Sequence, residues 1–416
     1  MSNNPLLPAN IDALAAYSSA KSEKLTGTTW LNANESPYVK SIDISINDLN
    51  RYPDPQPMNV INRYADYAGL TVEQVLMTRG ADEGIELLVR TYCQPEQDSV
   101  ALFLPTYGMY KVTADTHNVA INGLSQALLF DGTVDQIINA VGNSKLVFIC
   151  NPNNPTGSLT PLEKIKAIAT ALADKALVVV DEAYIEFCPE QSASKLINEF
   201  ANIVVLRTLS KAFALAGLRT GFTLAQSSVL APIRKVIAPY PVSTVVASIA
   251  ANALSPDAIT SMRRQVSILN ALRAKLKLWL EASPAVLQVL SGEGNFVTLK
   301  LADKNSFNIA LEQGLVMRAF TLYGENDWLR ISIGSEQELE QDIDTFVVDL
   351  KAKMESDTPP MRLANATTWN KAKTEEKLCM TCAFCGFKED CFGSLEARPI
   401  PSGKITNYNV TSGADF

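Results

Sequence analysis

From about residue 75 onward, short runs of apolar and β-branched residues alternate with stretches whose apolar positions recur at helical spacing. The runs are Val100–Leu104, Leu146–Cys150, Ala176–Asp181 and Ile203–Leu206, most of them closed by Pro, Asn or Asp. Between the second and third, Pro161–Asp174 carries Ala, Ile and Leu at helical intervals, with Pro in the first turn, where its missing N–H is no loss. Strands apolar throughout and separated by helices predict an α/β fold, with a mainly parallel sheet covered on both faces. Ligands of such sheets sit at the carboxyl ends of the strands. The turns just after these runs are therefore where chemistry is expected.

Downstream the pattern changes. Ser243–Leu280 predicts helix, with a long amphipathic stretch around Met262–Leu280. Two strand-like pieces follow, Asn295–Leu301 and Trp328–Ile333, then a last helix, Glu336–Met354. This mixture predicts a smaller α+β domain. The expected organisation is an arm or small-domain segment over 1–40, a large domain over 41–240 and a C-terminal small domain over 241–356. Residues 357–416, rich in Thr, Pro, Asn, Gly and Lys with little periodicity, read as a disordered tail.

At 416 residues and 47% hydrophobic, the chain has material for a large core in two domains. A formal net charge of −8 argues against nucleic-acid binding, which needs a basic footprint. No apolar run reaches the ~18 residues of a membrane-spanning helix. Met1–Asn10 lacks the basic and apolar regions of a signal peptide. A soluble cytoplasmic location, without membrane partners, is expected. Cys93, Cys150 and Cys188 stand singly in apolar or helical stretches and read as buried, reduced thiols. Cys379, Cys382, Cys385 and Cys391 crowd together in the tail. Such a group can ligate zinc or an iron–sulfur cluster, but the spacing matches no common cluster, and no metal is expected. The single histidine, His117, excludes mechanisms that need a His pair or a His-rich metal site.

The strongest chemical signal is Thr208-Leu209-Ser210-Lys211, followed by Gly217-Leu218-Arg219-Thr220-Gly221. A lysine just past a buried strand, beside hydroxyls and an arginine, suits a phosphate-bearing aldehyde. The amine condenses with the aldehyde as an imine, while Thr208, Ser210 and Arg219 serve the phosphate. Taken alone, Lys211 also reads as a surface lysine after a strand; the upstream motifs decide against that. Val178–Val180 is an apolar run ending in Asp181, a carboxylate suited to a protonated pyridine nitrogen. Tyr184, three residues on, can reach that ring's phenolic oxygen, and in isolation Asp181 reads equally as a helix N-cap. The rigid turn Asn151-Pro152-Asn153-Asn154-Pro155-Thr156-Gly157 offers the Asn154 amide to the same oxygen. Gly80-Ala81-Asp82-Glu83-Gly84 opens a helix predicted through Ile85–Cys93, and free N–H groups at a helix start bind phosphate. In Pro105-Thr106-Tyr107-Gly108, Tyr107 can stack on the ring or simply pack on a turn.

This order of motifs, closed by Ser210-Lys211-Ala212-Phe213 and Leu218-Arg219, is similar to that of the class I/II aminotransferases, pyridoxal-phosphate enzymes of fold type I. Leu31-Asn32-Ala33-Asn34-Glu35-Ser36-Pro37-Tyr38 and Arg51-Tyr52-Pro53-Asp54-Pro55 resemble strings of the histidinol-phosphate aminotransferase branch. The likeness runs from about residue 5 to 354. It implies a sheet of the seven-stranded type, pyridoxal 5′-phosphate held by Lys211, and a homodimer in which Tyr52 reaches the phosphate of the partner's cofactor. It implies amino transfer between L-histidinol phosphate and 2-oxoglutarate, giving imidazole-acetol phosphate and glutamate, in histidine biosynthesis. It also implies that Arg330, Arg318, Tyr17 and Asn34 contact substrate. After Arg318 the sequence reads Ala319-Phe320, where the family more often has an acidic residue or proline. An aromatic aminotransferase and a threonine-phosphate decarboxylase of the same fold remain as alternatives. A transcription regulator on this fold needs an N-terminal DNA-binding domain, and the first forty residues hold no helix-turn-helix candidate.

Overall fold

The structure, a computed structural model, describes residues 6–15, 20, 25–42, 47, 49–283, 285–302, 305–339, 367–369 and 376–378. Strands are numbered along the chain. β1 is Thr29–Trp30, followed by β2 (Val75–Thr78), β3 (Ser99–Leu104), β4 (Ala120–Ser125), β5 (Leu146–Cys150), β6 (Leu177–Asp181), β7 (Ile203–Thr208) and β8 (Gly221–Ala225). β2 to β8 form one seven-stranded sheet in the order β2-β8-β7-β6-β5-β3-β4. The five strands from β7 to β4 run parallel; β7, β6, β5 and β3 are the apolar runs of the sequence, β4 is an edge strand outside them, and β8 pairs antiparallel with both β7 and β2.

Alternation of side chains across the pleat splits the core in two. Val178 and Val180 point to one face, packed with Val60, Ile61, Ile165 and Ile168 of the helices Met58–Ala68 and Leu162–Ala171. Val179 points to the other, with Ile85, Leu88, Leu230 and Ile233 of the helices Gly80–Tyr92 and Ser227–Val236. Both faces being covered explains why these strands are apolar at every position rather than at alternate ones.

The predicted helical region after Ser243 is two helices, Thr244–Ala253 and Pro256–Ala282. The break is local chemistry. Pro256 has no N–H to continue a helix and starts one instead, and the Ser255 side chain caps it by accepting from the Ala258 N–H. The long helix lies against a second sheet of β9 (Val286–Val289), β10 (Phe296–Leu301), β12 (Arg318–Leu322) and β13 (Glu325–Ser332), with β11 (Leu315–Val316) between β10 and β12 in sequence. All pairings in the order β12-β13-β10-β9 are antiparallel. β11 instead pairs with β1, which ties the N-terminal segment to this sheet. Of the expected helix Glu336–Met354, residues 336–339 are helical, and the rest lies outside the described residues. In the tail, Thr367–Trp369 and Glu376–Leu378 pair antiparallel, while Cys379, Cys382, Cys385 and Cys391 lie outside the described residues.

The carboxyl ends of β6 and β7 are locked together by ions out of water. Arg207 donates from Nε to Glu182 at 2.7 Å and from Nη1 to Glu186 at 3.0 Å, with Nη2 on the Ser192 hydroxyl at 2.9 Å. All three charged residues are buried. Burial pushes both carboxyls up, and the guanidinium beside them pulls them back. Removing the arginine from such a group leaves unpaired buried carboxylates, at a cost of roughly 3–5 kcal/mol. The lock holds the two strand ends that carry Asp181 and Thr208.

Candidate active site

A cleft of about 830 Å³ opens where the strand ends meet the second sheet. Asp181, Thr208, Ser210, Lys211 and Arg219 line it from the β6, β7 and following-turn side, with Ala81, Asp82 and Tyr107 beside them. Asn154 and Tyr184 contribute from the turns after β5 and β6, and Arg318 and Arg330 from the second sheet. The cleft thus gathers residues from Ala20 to Arg330.

Asp181 sits at the floor, 2% exposed. One oxygen accepts the Tyr110 hydroxyl at 2.6 Å, the other the Ala183 N–H at 3.1 Å. Burial raises its pKa to about 6, against the pull of those two donors. A carboxylate so placed favours a cationic nitrogen opposite it. Lys211 is half-buried, its Nζ donating to the Ala33 carbonyl at 3.0 Å. Desolvation and then the Arg330 charge lower its pKa to about 8, partly offset by Glu35 and Asp82. An amine near that value has a usable neutral fraction around neutral pH.

At the other end, Gly80 opens the helix Gly80–Tyr92 with φ +81°, and a Cβ there would come within 2.9 Å of the Arg219 guanidinium. Glycine lets Arg219 lie across the helix start, where first-turn N–H groups have no partner within the helix. Arg219 pairs with Asp82 at 3.0 Å and approaches Ser210 Oγ at 3.4 Å. Asp82 also accepts the Tyr107 hydroxyl at 3.1 Å. The Thr208 hydroxyl donates to Ser210 Oγ at 2.8 Å. A guanidinium, two hydroxyls and the N–H groups of a helix start thus share one corner of the cleft, the kinds of donor that bind a phosphate.

Asn154 donates to the Tyr184 hydroxyl at 3.3 Å and accepts from Arg330 Nη1 at 2.5 Å. Arg330 Nη2 reaches the Asn32 carbonyl at 2.9 Å. Arg318 and Arg330 are direct partners across β12 and β13, so two guanidinium groups enter the cleft side by side. Asn34 is buried behind the wall and donates to the Tyr184 hydroxyl at 3.0 Å; it is not among the cleft-lining residues. Tyr52 stands apart from the cleft, 82% exposed and stacked on Tyr240 with ring centroids 4.5 Å apart. Tyr17 lies outside the described residues.

The sequence matches the model of the family described as aminotransferase class I and II over residues 19–346. A histidinol-phosphate aminotransferase of Yersinia pseudotuberculosis is 46% identical over 344 residues, covering 82% of this chain and 90% of that protein. The chain belongs to the class I and II aminotransferases. Its fold is shared by the solved histidinol-phosphate aminotransferase of Sinorhizobium meliloti in complex with pyridoxal-5′-phosphate, at a TM-score of 0.72 and 23% identity over 82% of this chain and 96% of that one. The Clostridium acetobutylicum enzyme superposes at 0.69, with 23% identity over 77% and 98% of the two chains.

Several residues around this aminotransferase's cleft escape sequence reasoning. Tyr110 supports Asp181 from inside the helix Met109–Thr116, where it reads as an ordinary core aromatic. Ser332 contacts Asn34 from β13, and Phe320 lines the cleft two residues beyond Arg318, on the same face of β12. Only the period-two alternation of β12 could have pointed to Phe320. Among the described residues, no group of three or more His, Cys, Asp or Glu is arranged to hold a metal. No helix among them is long and apolar enough to cross a membrane.

The low pKa of Lys211 is open to direct measurement. In the apoprotein, the reactivity of Lys211 with a neutral amine reagent is expected to rise with pH around a midpoint near 8. Arg330→Met removes a positive charge that disfavours the ammonium form, so the midpoint should move up. A midpoint that stays put or falls in this variant would contradict the electrostatic assignment.

Proposed function

We propose that this aminotransferase transfers the amino group of L-histidinol phosphate to 2-oxoglutarate, giving imidazole-acetol phosphate and glutamate, with pyridoxal 5′-phosphate as cofactor. The observation that carries the reading is the opposition, across one cleft, of the Asp181–Lys211 floor and the paired Arg318 and Arg330. The cleft fits the cofactor: a buried carboxylate for a ring nitrogen, a lysine of lowered pKa, and a glycine-opened helix start with Arg219 for a phosphate. When bound, pyridoxal phosphate supplies an electron sink for the pair left when the substrate Cα–H bond breaks.

The protein's residues do the rest. Lys211 anchors the cofactor and, once the substrate amine displaces it, moves the proton at the substrate Cα as general base and then acid. Asp181 keeps the ring nitrogen protonated. Tyr184 and Asn154 serve the ring's phenolic oxygen, and Tyr107 covers the ring. Gly80, Ala81 and Asp82 at the helix start, with Thr208, Ser210 and Arg219, hold the phosphate. Arg330, Arg318 and Tyr17 take the anionic end of the substrate: a phosphate in one half-reaction, a carboxylate in the other. We read residues 41–240 as the cofactor domain, 1–40 as an arm or small-domain segment, 241–356 as a C-terminal small domain, and 357–416 as dispensable. A cytoplasmic location goes with this biosynthetic role.

A phosphomonoester is nearly dianionic at neutral pH, and a charge-assisted hydrogen bond to it is worth roughly 1.5–3 kcal/mol. L-histidinol phosphate is therefore expected to exceed unphosphorylated L-histidinol in kcat/KM by about one to two powers of ten for each such contact. Arg330→Ala should damage both half-reactions. Equal use of the two donors would turn the assignment toward an aromatic aminotransferase, and loss of carbon dioxide without need of 2-oxoglutarate would turn it toward a decarboxylase.

We also propose a homodimer in which each cleft is completed by Tyr52 from the other chain; the support is an exposed, pre-stacked tyrosine with no role in its own cleft. Mixing Tyr52→Phe chains with Lys211→Ala chains should regenerate sites carrying both native residues, and with them activity. A monomer in sedimentation at assay concentration would remove the idea.

A further inference from the structure

The Tyr184 oxygen accepts two amide N–H groups, Asn34 Nδ2 at 3.0 Å and Asn154 Nδ2 at 3.3 Å. Both amides are oriented from one strand. Arg330 has only donors, so its Nη1 beside Asn154 fixes that amide's oxygen toward Arg330 and its NH2 toward Tyr184. Ser332 Oγ accepts the backbone N–H of Asn34 at 2.8 Å and gives its own proton to Asn34 Oδ1 at 3.1 Å. That leaves the Asn34 NH2 for Tyr184. Arg330 and Ser332 are two residues apart on β13 and so share a face. Asn34 and Ser332 are 1% and 2% exposed, so water cannot replace either link.

A phenol oxygen has two acceptor positions and one proton to give. With both acceptor positions filled, the proton has one direction left, the cleft that Tyr184 lines. The ring is held edge-on to Phe296, centroids 5.2 Å apart. We propose that Asn34 and Ser332 are positioning residues that lock Tyr184 as a one-way hydrogen-bond donor into the cleft. This rests on the reading of the cleft as a pyridoxal-phosphate site with the ring's phenolic oxygen at Tyr184. Arg330, Cys150, Asp181, Asn34, Asn154 and Lys211 are polar and titratable groups that face Tyr184. Burial pushes its hydroxyl up to about 12, so it keeps the proton through the neutral range. A fixed donor stabilises the ionised phenolic oxygen and lowers the pH at which the lysine-held cofactor titrates.

The test is a spectrophotometric pH titration of the visible cofactor band in the holoenzyme. Asn34→Asp is nearly isosteric but puts an acceptor where a donor stood, turning the Tyr184 proton away from the cleft. The midpoint is expected to rise by about one pH unit, the scale of one hydrogen bond, and to match the rise in Tyr184→Phe. Adding Asn34→Asp to Tyr184→Phe should then add little, since the two act through one proton. Ser332→Ala, a smaller change that leaves the Asn34 amide free to turn, should raise the midpoint by a few tenths of a unit. An equal shift from Asn34→Asp with and without Tyr184 would reduce the effect to added charge and overturn the proposal. So would a wild-type titration that neither Asn34→Asp nor Ser332→Ala moves. Absence of any cofactor band in the wild-type protein would overturn the reading of the cleft itself along with this inference.

Discussion

A carboxylate held almost out of water is the constraint on which the site depends. Asp181 ends a strand in which Val178, Val179 and Val180 are buried too, and among the described residues it accepts hydrogen bonds from neutral groups, the Tyr110 hydroxyl and the Ala183 N–H. Desolvation makes its charge expensive, as the rise of its pKa to about 6 records. A cation opposite Asp181 would relieve that cost; in the proposed function that cation is the cofactor's ring nitrogen, which Asp181 would in return hold protonated, as an electron sink requires. The floor of the cleft is thus preorganised for a cation without supplying one. The Arg207–Glu182–Glu186 lock, one residue along, fixes the strand ends so that this carboxylate cannot retreat to solvent.

The second sheet supplies the complementary charge. Arg330 lowers the Lys211 pKa, orients Asn154 and faces the same space as Arg318. The segment from Leu31 to Asn34 stitches the two halves. Leu31 and Asn34 bond to Val316 and Ser332, the Ala33 carbonyl receives Lys211, and the Asn34 side chain reaches Tyr184. Lys211 and Arg330 are therefore coupled through shared structure, the segment from Leu31 to Asn34. In the proposed function one positive charge would both bind substrate and keep the lysine partly neutral.

That these residues share one cleft was legible in the sequence because the cleft lies at strand ends, where the apolar pattern stops and polar residues stand out. Asp181, Lys211, Asn154 and Arg219 are conspicuous for that reason. β2 and β8 were not legible. Val75–Thr78 is only four residues long, and Gly221, the start of β8, reads as the end of a phosphate motif. The single helical region after Ser243 concealed a break that depends on Ser255 and Pro256 acting together. Tyr110 and Ser332 were missed because their importance lies in a partner, Asp181 or Asn34, distant in sequence. Asn34 was expected at the substrate, and its contact with the Tyr184 hydroxyl was not foreseen. The strings that carry a family likeness do not say which way a side chain turns.

The most direct measurement of the central claim is the protonation state of the ring nitrogen itself, read by nitrogen-15 NMR of labelled pyridoxal phosphate bound to the protein. The nitrogen is expected to be protonated in the wild-type enzyme from about pH 6.5 to 9, and unprotonated in Asp181→Asn, whose amide cannot balance the charge. The variant should also lose most of its turnover. A wild-type nitrogen without its proton, or an Asp181→Asn enzyme that turns over normally, would contradict the account.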